Sequence, residues 1–167
     1  MHIAMVEASQ HEALVDLLHE MGRFYSPETP AARDDIRSHL LVNLLGAGSS
    51  VRVAVATDAD GTLAGMAAVA LFHSFVDPSP ARRGQLLMKE LYVRESHRGQ
   101  GVGKALMAWI ARHAIAHGCA RIDWNVSASN RPGLAFYRAL HAQHVAGRLS
   151  YRISGEALGR LAGSDAP

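Results

Sequence analysis

The chain has 167 residues, and its chemistry-bearing groups concentrate in the stretch H-R-G-Q-G-V-G-K-A-L at residues 97–106. Gly99, Gly101 and Gly103 alternate there between Arg98 and Lys104. Glycines let an anion approach the backbone, and the start of a helix offers unpaired N–H groups and a positive dipole end. The stretch therefore reads as a phosphate cradle, against the plainer reading of a tight strand-to-helix turn. Just upstream, K-E-L-Y-V at residues 89–93 sets Glu90 in a mostly apolar strand. A carboxylate so placed can take a proton from a reacting group, or can be a structural partner for an arginine. Further along, L-A-F-Y-R-A-L carries Tyr137. A phenol with a pKa of about 10 is protonated at neutral pH and can donate. The same residue can also be a core tyrosine on an amphipathic helix.

Spacing tests the nucleotide-binding loops. A Walker A loop needs four residues between its first glycine and the Gly-Lys pair, then Ser or Thr. Here three residues separate Gly99 from Gly103, and Ala105 follows Lys104. The dinucleotide pattern G-x-G-x-x-G would need glycine at position 104, which is lysine. Both patterns fail. Among the ten histidines, His113 and His117 lie four apart, but no H-E-x-x-H surrounds them, so no metal site is expected. His73 falls on a long strand and could line an acceptor groove. His97 precedes the glycines and is expected to order them. Phe24 and Tyr25 either shape the acceptor end or pack the first helix.

The elements that must position these groups follow from periodicity. Residues 2–7 alternate weakly, as a first strand. Leu14, Leu17, Leu18 and Met21 share one face of a helix over residues 11–21, with Ser9 and Glu12 as a capping box. A second amphipathic helix follows over residues 31–45. Residues 51–57 and 62–76 make a hairpin across the turn D-A-D-G, and residues 85–94 a strand leading into the glycines. A helix from Gly101 to Gly118 turns Leu106, Trp109, Ile110 and Ala114 inward. A strand at 120–127, a loop and helix through Tyr137, and a last strand at 149–153 complete the order. This is an α/β (α+β) fold, a central mixed sheet with a β-α-β unit, expected as a single domain over residues 1–167.

Bulk composition narrows the function classes. Lys plus Arg is 17 and Asp plus Glu is 15, a formal charge of +2, too small to argue for nucleic acid. No run of apolar residues is long enough to span a membrane. The start M-H-I-A-M-V-E-A has neither the basic nor the apolar region of a secretory signal. The lone Cys119 excludes an internal disulfide and reads as a small buried residue. A cytoplasmic protein is expected.

R-G-Q-G-V-G at residues 98–103 matches the (Gln/Arg)-x-x-Gly-x-(Gly/Ala) signature, and the chain resembles the GNAT acyltransferase superfamily. The likeness runs from L-L-M-K-E-L-Y-V to S-N-R-P-G-L-A-F-Y-R-A-L-H-A, and more weakly into G-R-L-S-Y-R-I. It implies that Gln100, Gly101, Val102, Gly103 and Lys104 wrap the pyrophosphate of acetyl-CoA, with Arg98 and Gly99 also binding the cofactor. It implies that the strand ending at Val93 carries a bulge and splays from strand 120–127. The cofactor's pantetheine arm would pair with the backbone of Leu91, Tyr92 and Val93. Asn130 and Tyr137 would sit beside the thioester, with Tyr137 as general acid and Glu90 as base. Glu90, Tyr25 and His73 would meet the acceptor. The expected activity is transfer of an acetyl group to a primary amine of a small molecule, by a homodimer. A non-catalytic acyl-CoA sensor, or acetylation of a peptide or protein amine, stands beside it.

The stretches F-Y-S-P-E-T-P, E-L-Y-V and G-R-L-S-Y-R-I look like those of spermidine/spermine and thialysine N-acetyltransferases. Those enzymes carry two adjacent acidic residues where this chain has Lys89 then Glu90. The lost carboxylate makes a small mono- or diamine, or an amino-acid side-chain amine, fit at least as well as a polycation.

Overall fold

The computed structural model describes residues 1–163. The elements in order are β1 (His2–Met5), α1 (His11–Tyr25), α2 (Arg33–His39), β2 (Val51–Thr57), β3 (Leu63–His73), β4 (Gly84–Val93), α3 (Val102–Ala116), β5 (Cys119–Asp123), α4 (Arg131–Ala139) and α5 (Glu156–Leu161). The chain gathers into two compact units, Met1–Val126 and the residues from Ser127 onward.

In the first unit the five strands run in the order β1-β2-β3-β4-β5. The first three pairings are antiparallel and β4 with β5 is parallel, because α3 intervenes as a crossover helix. The mixed sheet flanked by helices is the expected architecture. Alternation along the strands sends large side chains to one face and small ones to the other. Val53, Val55, Leu63, Met66 and Tyr92 pack with Leu14, Val15 and Leu17 of α1 and with Leu40. On the opposite face Gly65 lies under Leu106 of α3, and the buried residues Val102, Leu106, Ile110 and Ala114 form that helix's inner stripe. Trp109, expected inward with them, is only half-buried and stacks on His113, ring centroids 4.8 Å apart.

Several boundaries differ from expectation. The capping box lies upstream of Ser9 and Glu12. Glu7 and Gln10 cap each other around a 3-10 turn at Ala8–Gln10, with the Glu7 N–H donating to Gln10 Oε1 at 3.1 Å, and this turn feeds α1. The second helix gives way after His39 to a π-helical turn at Leu40–Leu44. β5 ends at Asp123, short of the expected residue 127.

In the second unit, Asn130 caps α4 by accepting the Gly133 N–H at 3.0 Å. Residues 149–153 are not a strand. Leu149, Tyr151 and Ile153 alternate, yet all three are exposed, and a strand is stable only when a neighbour completes its hydrogen bonds. The short α5 has no counterpart in the sequence reading.

Gly65 is a packing necessity. A Cβ there would stand 2.6 Å from the Tyr92 carbonyl oxygen and 3.3 Å from Leu106 Cδ1. Gly65→Ala is expected to lower unfolding free energy by about 1–3 kcal/mol, measured by urea denaturation.

Candidate active site

Strand β4 is paired on both sides for only its first part. Gly84, Gln85, Leu86 and Leu87 meet β5 at Cys119, Arg121, Ile122 and Asp123, and β5 then stops. Residues 88–93 keep β3 on one side and have no strand among the described residues on the other. The Arg94 N–H donates to the Ala64 carbonyl at 2.9 Å. Alternation then gives Tyr92 its backbone bonds to Met66, and turns the N–H groups of Leu91 and Val93 toward the open side. Of the three residues expected to meet a cofactor arm, these two carry available amides. The Tyr92 side chain is buried on the α1 face.

The expected bulge falls at Lys89. Ala68 pairs with Glu90 and Val69 with Met88, leaving Lys89 as the extra residue. Lys89 and Glu90 both line a cavity of about 540 Å³ between the sheet, α1 and α2. Glu90 is half-buried, and burial raises its carboxyl pKa above the ordinary value while the Lys89 charge pulls it partly back. Among the described residues no arginine pairs with Glu90, and the charge acting on it is that of Lys89. Tyr25, at the exposed end of α1, lies close enough that the Glu90 charge, together with burial as the larger cause, raises the phenol's pKa. His73 is elsewhere: it pairs with Gly84 at the far end of β3, roughly 20 Å along the strand from Glu90.

The glycine loop is built as an open cradle. Gly99 and Gly101 have φ of +74° and +82°, in the left-handed region that favours glycine. A Cβ at either would meet nothing within 4 Å, so the space above them is clear. Gly101 is the N-cap of α3, and no side chain caps that end. The first N–H there to find a carbonyl is that of Ala105, on Gly101 at 3.0 Å. The amides of Val102, Gly103 and Lys104 therefore point out of the helix end with its partial positive charge, and Lys104 is exposed beside them. Side chains hold the loop from below. Gln100 Nε2 donates to the Ser96 carbonyl at 2.9 Å. His97 Nε2 lies 3.1 Å from Asp58 Oδ2, anchoring the loop to the β2–β3 turn as expected. Arg98 Nε donates to the Val93 carbonyl at 3.2 Å, tying the cradle to the end of the open edge. Its guanidinium lies over the Phe24 ring at 4.8 Å, so its charge is directed to α1.

Glu20 went unnoticed in the sequence because nothing near it in the chain marks it. Its carboxylate accepts the Tyr92 hydroxyl at 3.1 Å and the Glu95 N–H at 3.2 Å, and pairs with Arg94 at 3.5 Å. Burial, then this carboxylate, push the Tyr92 phenol up to about 12, so it stays protonated and donating. Glu20 thus pins α1 to the end of β4 where the loop begins.

In the second unit, Tyr137 is half-buried on α4, its ring 5.1 Å from Phe136. Asn130 is the cap of the same helix. No group of three or more metal-ligating side chains occurs among the described residues, and no helix there is long and apolar enough to cross a membrane.

An uncapped helix N-terminus with open glycines thus stands beside an open strand edge. The chain belongs to the acetyltransferase (GNAT) family, whose model matches residues 14–142, across both units. Thialysine N-epsilon-acetyltransferase of Mus musculus is 36% identical over 84 residues, 46% of this chain and 46% of that protein. The chain thus matches about half the length of that curated relative. An integron cassette protein of V. cholerae, VCH_CASS6, superposes with a TM-score of 0.87 at 31% identity over 98% of both chains. AAC(6')-Iy, solved with the bisubstrate analog CoA-S-monomethyl-acetylneamine, shares the fold with a TM-score of 0.70 at 22% identity, over 92% of this chain and 98% of that one.

The raised Glu90 pKa carries a stability signature. The folded state holds the proton more tightly than the unfolded one, so this group's contribution to stability falls as pH rises above the unfolded carboxyl's range. Glu90→Gln should therefore raise Tm at pH 7–8 and change it little below pH 4. Thermal melts across that range test this; a structural ion-pair role would give a lower Tm at neutral pH.

Proposed function

We propose that the protein is an acetyl-CoA-dependent N-acetyltransferase acting on a primary amine of a small molecule. The observation that carries this is the uncapped N-terminus of α3, with open glycines at 99 and 101, tethered to a strand edge with two unused amides. Those residues fit the two ends of such a cofactor. The amides of residues 100–104 and Lys104 would hold its pyrophosphate, and Leu91 and Val93 its amide-bearing arm. The name of the mouse relative, and the CoA analog held by AAC(6')-Iy, support the choice of donor and of amine.

When bound, acetyl-CoA supplies the acetyl group as a thioester. The Val93 N–H faces the open side, where it can stabilise negative charge growing on a carbonyl oxygen. An alkyl amine is mostly protonated at pH 7 and must lose that proton before it attacks. Glu90 takes it, directly or through water, and its raised pKa makes it a better acceptor than an exposed carboxylate. Tyr137 Oη would hold the proton that the leaving thiolate needs, the role that the resemblance implies for it.

Tyr137→Phe is expected to lower kcat by about 10²-fold or more with acetyl-CoA affinity little changed. Gly101→Glu sets a carboxylate in the cradle and should abolish that affinity. Thiol release and calorimetry with acetyl-CoA check both. Wild-type turnover in Tyr137→Phe across the pH range would remove the acid assignment, and unimpaired binding in Gly101→Glu would remove the cradle.

A further inference from the structure

The cavity beside Glu90 has a chemistry of its own. Its floor is apolar, with Leu14, Leu40, Val53 and Met66 all buried. Its polar groups lie at the rim, where Asp35, His39 and Lys89 are exposed and Glu90 is half-buried. The volume of about 540 Å³ lies in the range of small-molecule sites and admits a branched or aromatic side chain.

The bulge at Lys89 decides what the rim can read. In a regular strand, adjacent residues point to opposite faces. Here the extra residue brings Lys89 and Glu90 to the same cavity, one cation beside one anion. A group with an amine and a carboxylate on one carbon matches that pair: ammonium to Glu90, carboxylate to Lys89, and the substituent on that carbon into the apolar floor.

Resting on the acetyl-transfer reading, we propose that the acceptor is the α-amine of a free apolar amino acid such as leucine, methionine or phenylalanine. A polyamine lying across the floor would set its chain and a second ammonium among Leu14, Leu40, Val53 and Met66, with a carboxylate partner for that ammonium only at Asp35 on the exposed rim. A lysine-like acceptor reacting at its ε-amine would carry its zwitterionic end into the same floor. Both are disfavoured by desolvation.

The test is thiol release from acetyl-CoA with L-leucine, L-methionine and L-phenylalanine. L-lysine, spermidine, isoamylamine and leucinamide are the comparisons. The apolar amino acids should exceed lysine and spermidine in kcat/KM by roughly tenfold or more, the scale of burying one such side chain. Isoamylamine and leucinamide lack the free carboxylate and should show a raised KM relative to leucine. Lys89→Ala, at an exposed position, should raise the KM for leucine more than it lowers kcat and narrow leucine's advantage over isoamylamine. Ala68→Phe, which fills the floor, should raise the KM for phenylalanine, with Tm and acetyl-CoA calorimetry confirming a folded, donor-binding protein. Preference for lysine or spermidine, or no turnover with any apolar amino acid, overturns the assignment while leaving intact donor binding. So does a Lys89→Ala variant that treats leucine as the wild type does. Failure of acetyl-CoA to bind the wild type overturns both this inference and the reading beneath it.

Discussion

The early end of one strand ladder governs this molecule. β5 accompanies β4 only as far as the Leu87 and Asp123 pairing. Beyond that point no strand among the described residues pairs with the second side of β4. Buried N–H groups without acceptors are costly, so such an edge persists where a ligand or solvent completes it. The bulge at Lys89 begins where the second partner is lost, and it sets the faces of everything that follows. Lys89 and Glu90 share the α1–α2 cavity as a result, while the amides of Leu91 and Val93 turn to the open side.

The two faces of the sheet divide the labour. Small residues under α3, Gly65 above all, let that helix sit close, which aims its bare N-terminus at the end of β4. Large residues toward α1 make the principal core and seat Tyr92 within it. Glu20 then fastens α1 to the start of the loop through three separate contacts. The cradle is held by groups that do not occupy it: Gln100 and Arg98 bond carbonyls at its base, and His97 reaches the β2–β3 turn. Its amides and the space above the glycines remain clear.

The parts legible in the sequence are those fixed by local chemistry. Alternating glycines between a strand and a helix can be read without a fold, because their φ requirement is local, and the structure gives Gly99 and Gly101 positive φ. The hairpin and the stripe Leu106, Ile110 and Ala114 follow from periodicity. The parts that escaped depend on distant partners. Glu20 meets Tyr92 across 72 positions, and nothing near Glu20 announces it. Residues 149–153 alternate like a strand but have no ladder partner among the described residues, so pattern alone misled. Ser9 looked like a cap, yet Gln10 reaches back to Glu7 and starts a 3-10 turn first. His73 shares a strand with residues near the site but stands at its other end.

If the α3 N-terminus and the open edge of β4 form one donor-binding surface, coenzyme A must perturb both together. Backbone amide chemical shifts recorded while coenzyme A is titrated into the protein test it most directly. The largest changes are expected on residues 99–104 and on Leu91 and Val93, with the Tyr92 amide, bonded to β3, moving less. Shifts that leave these amides in place, or that cluster on another face of the sheet, would contradict it.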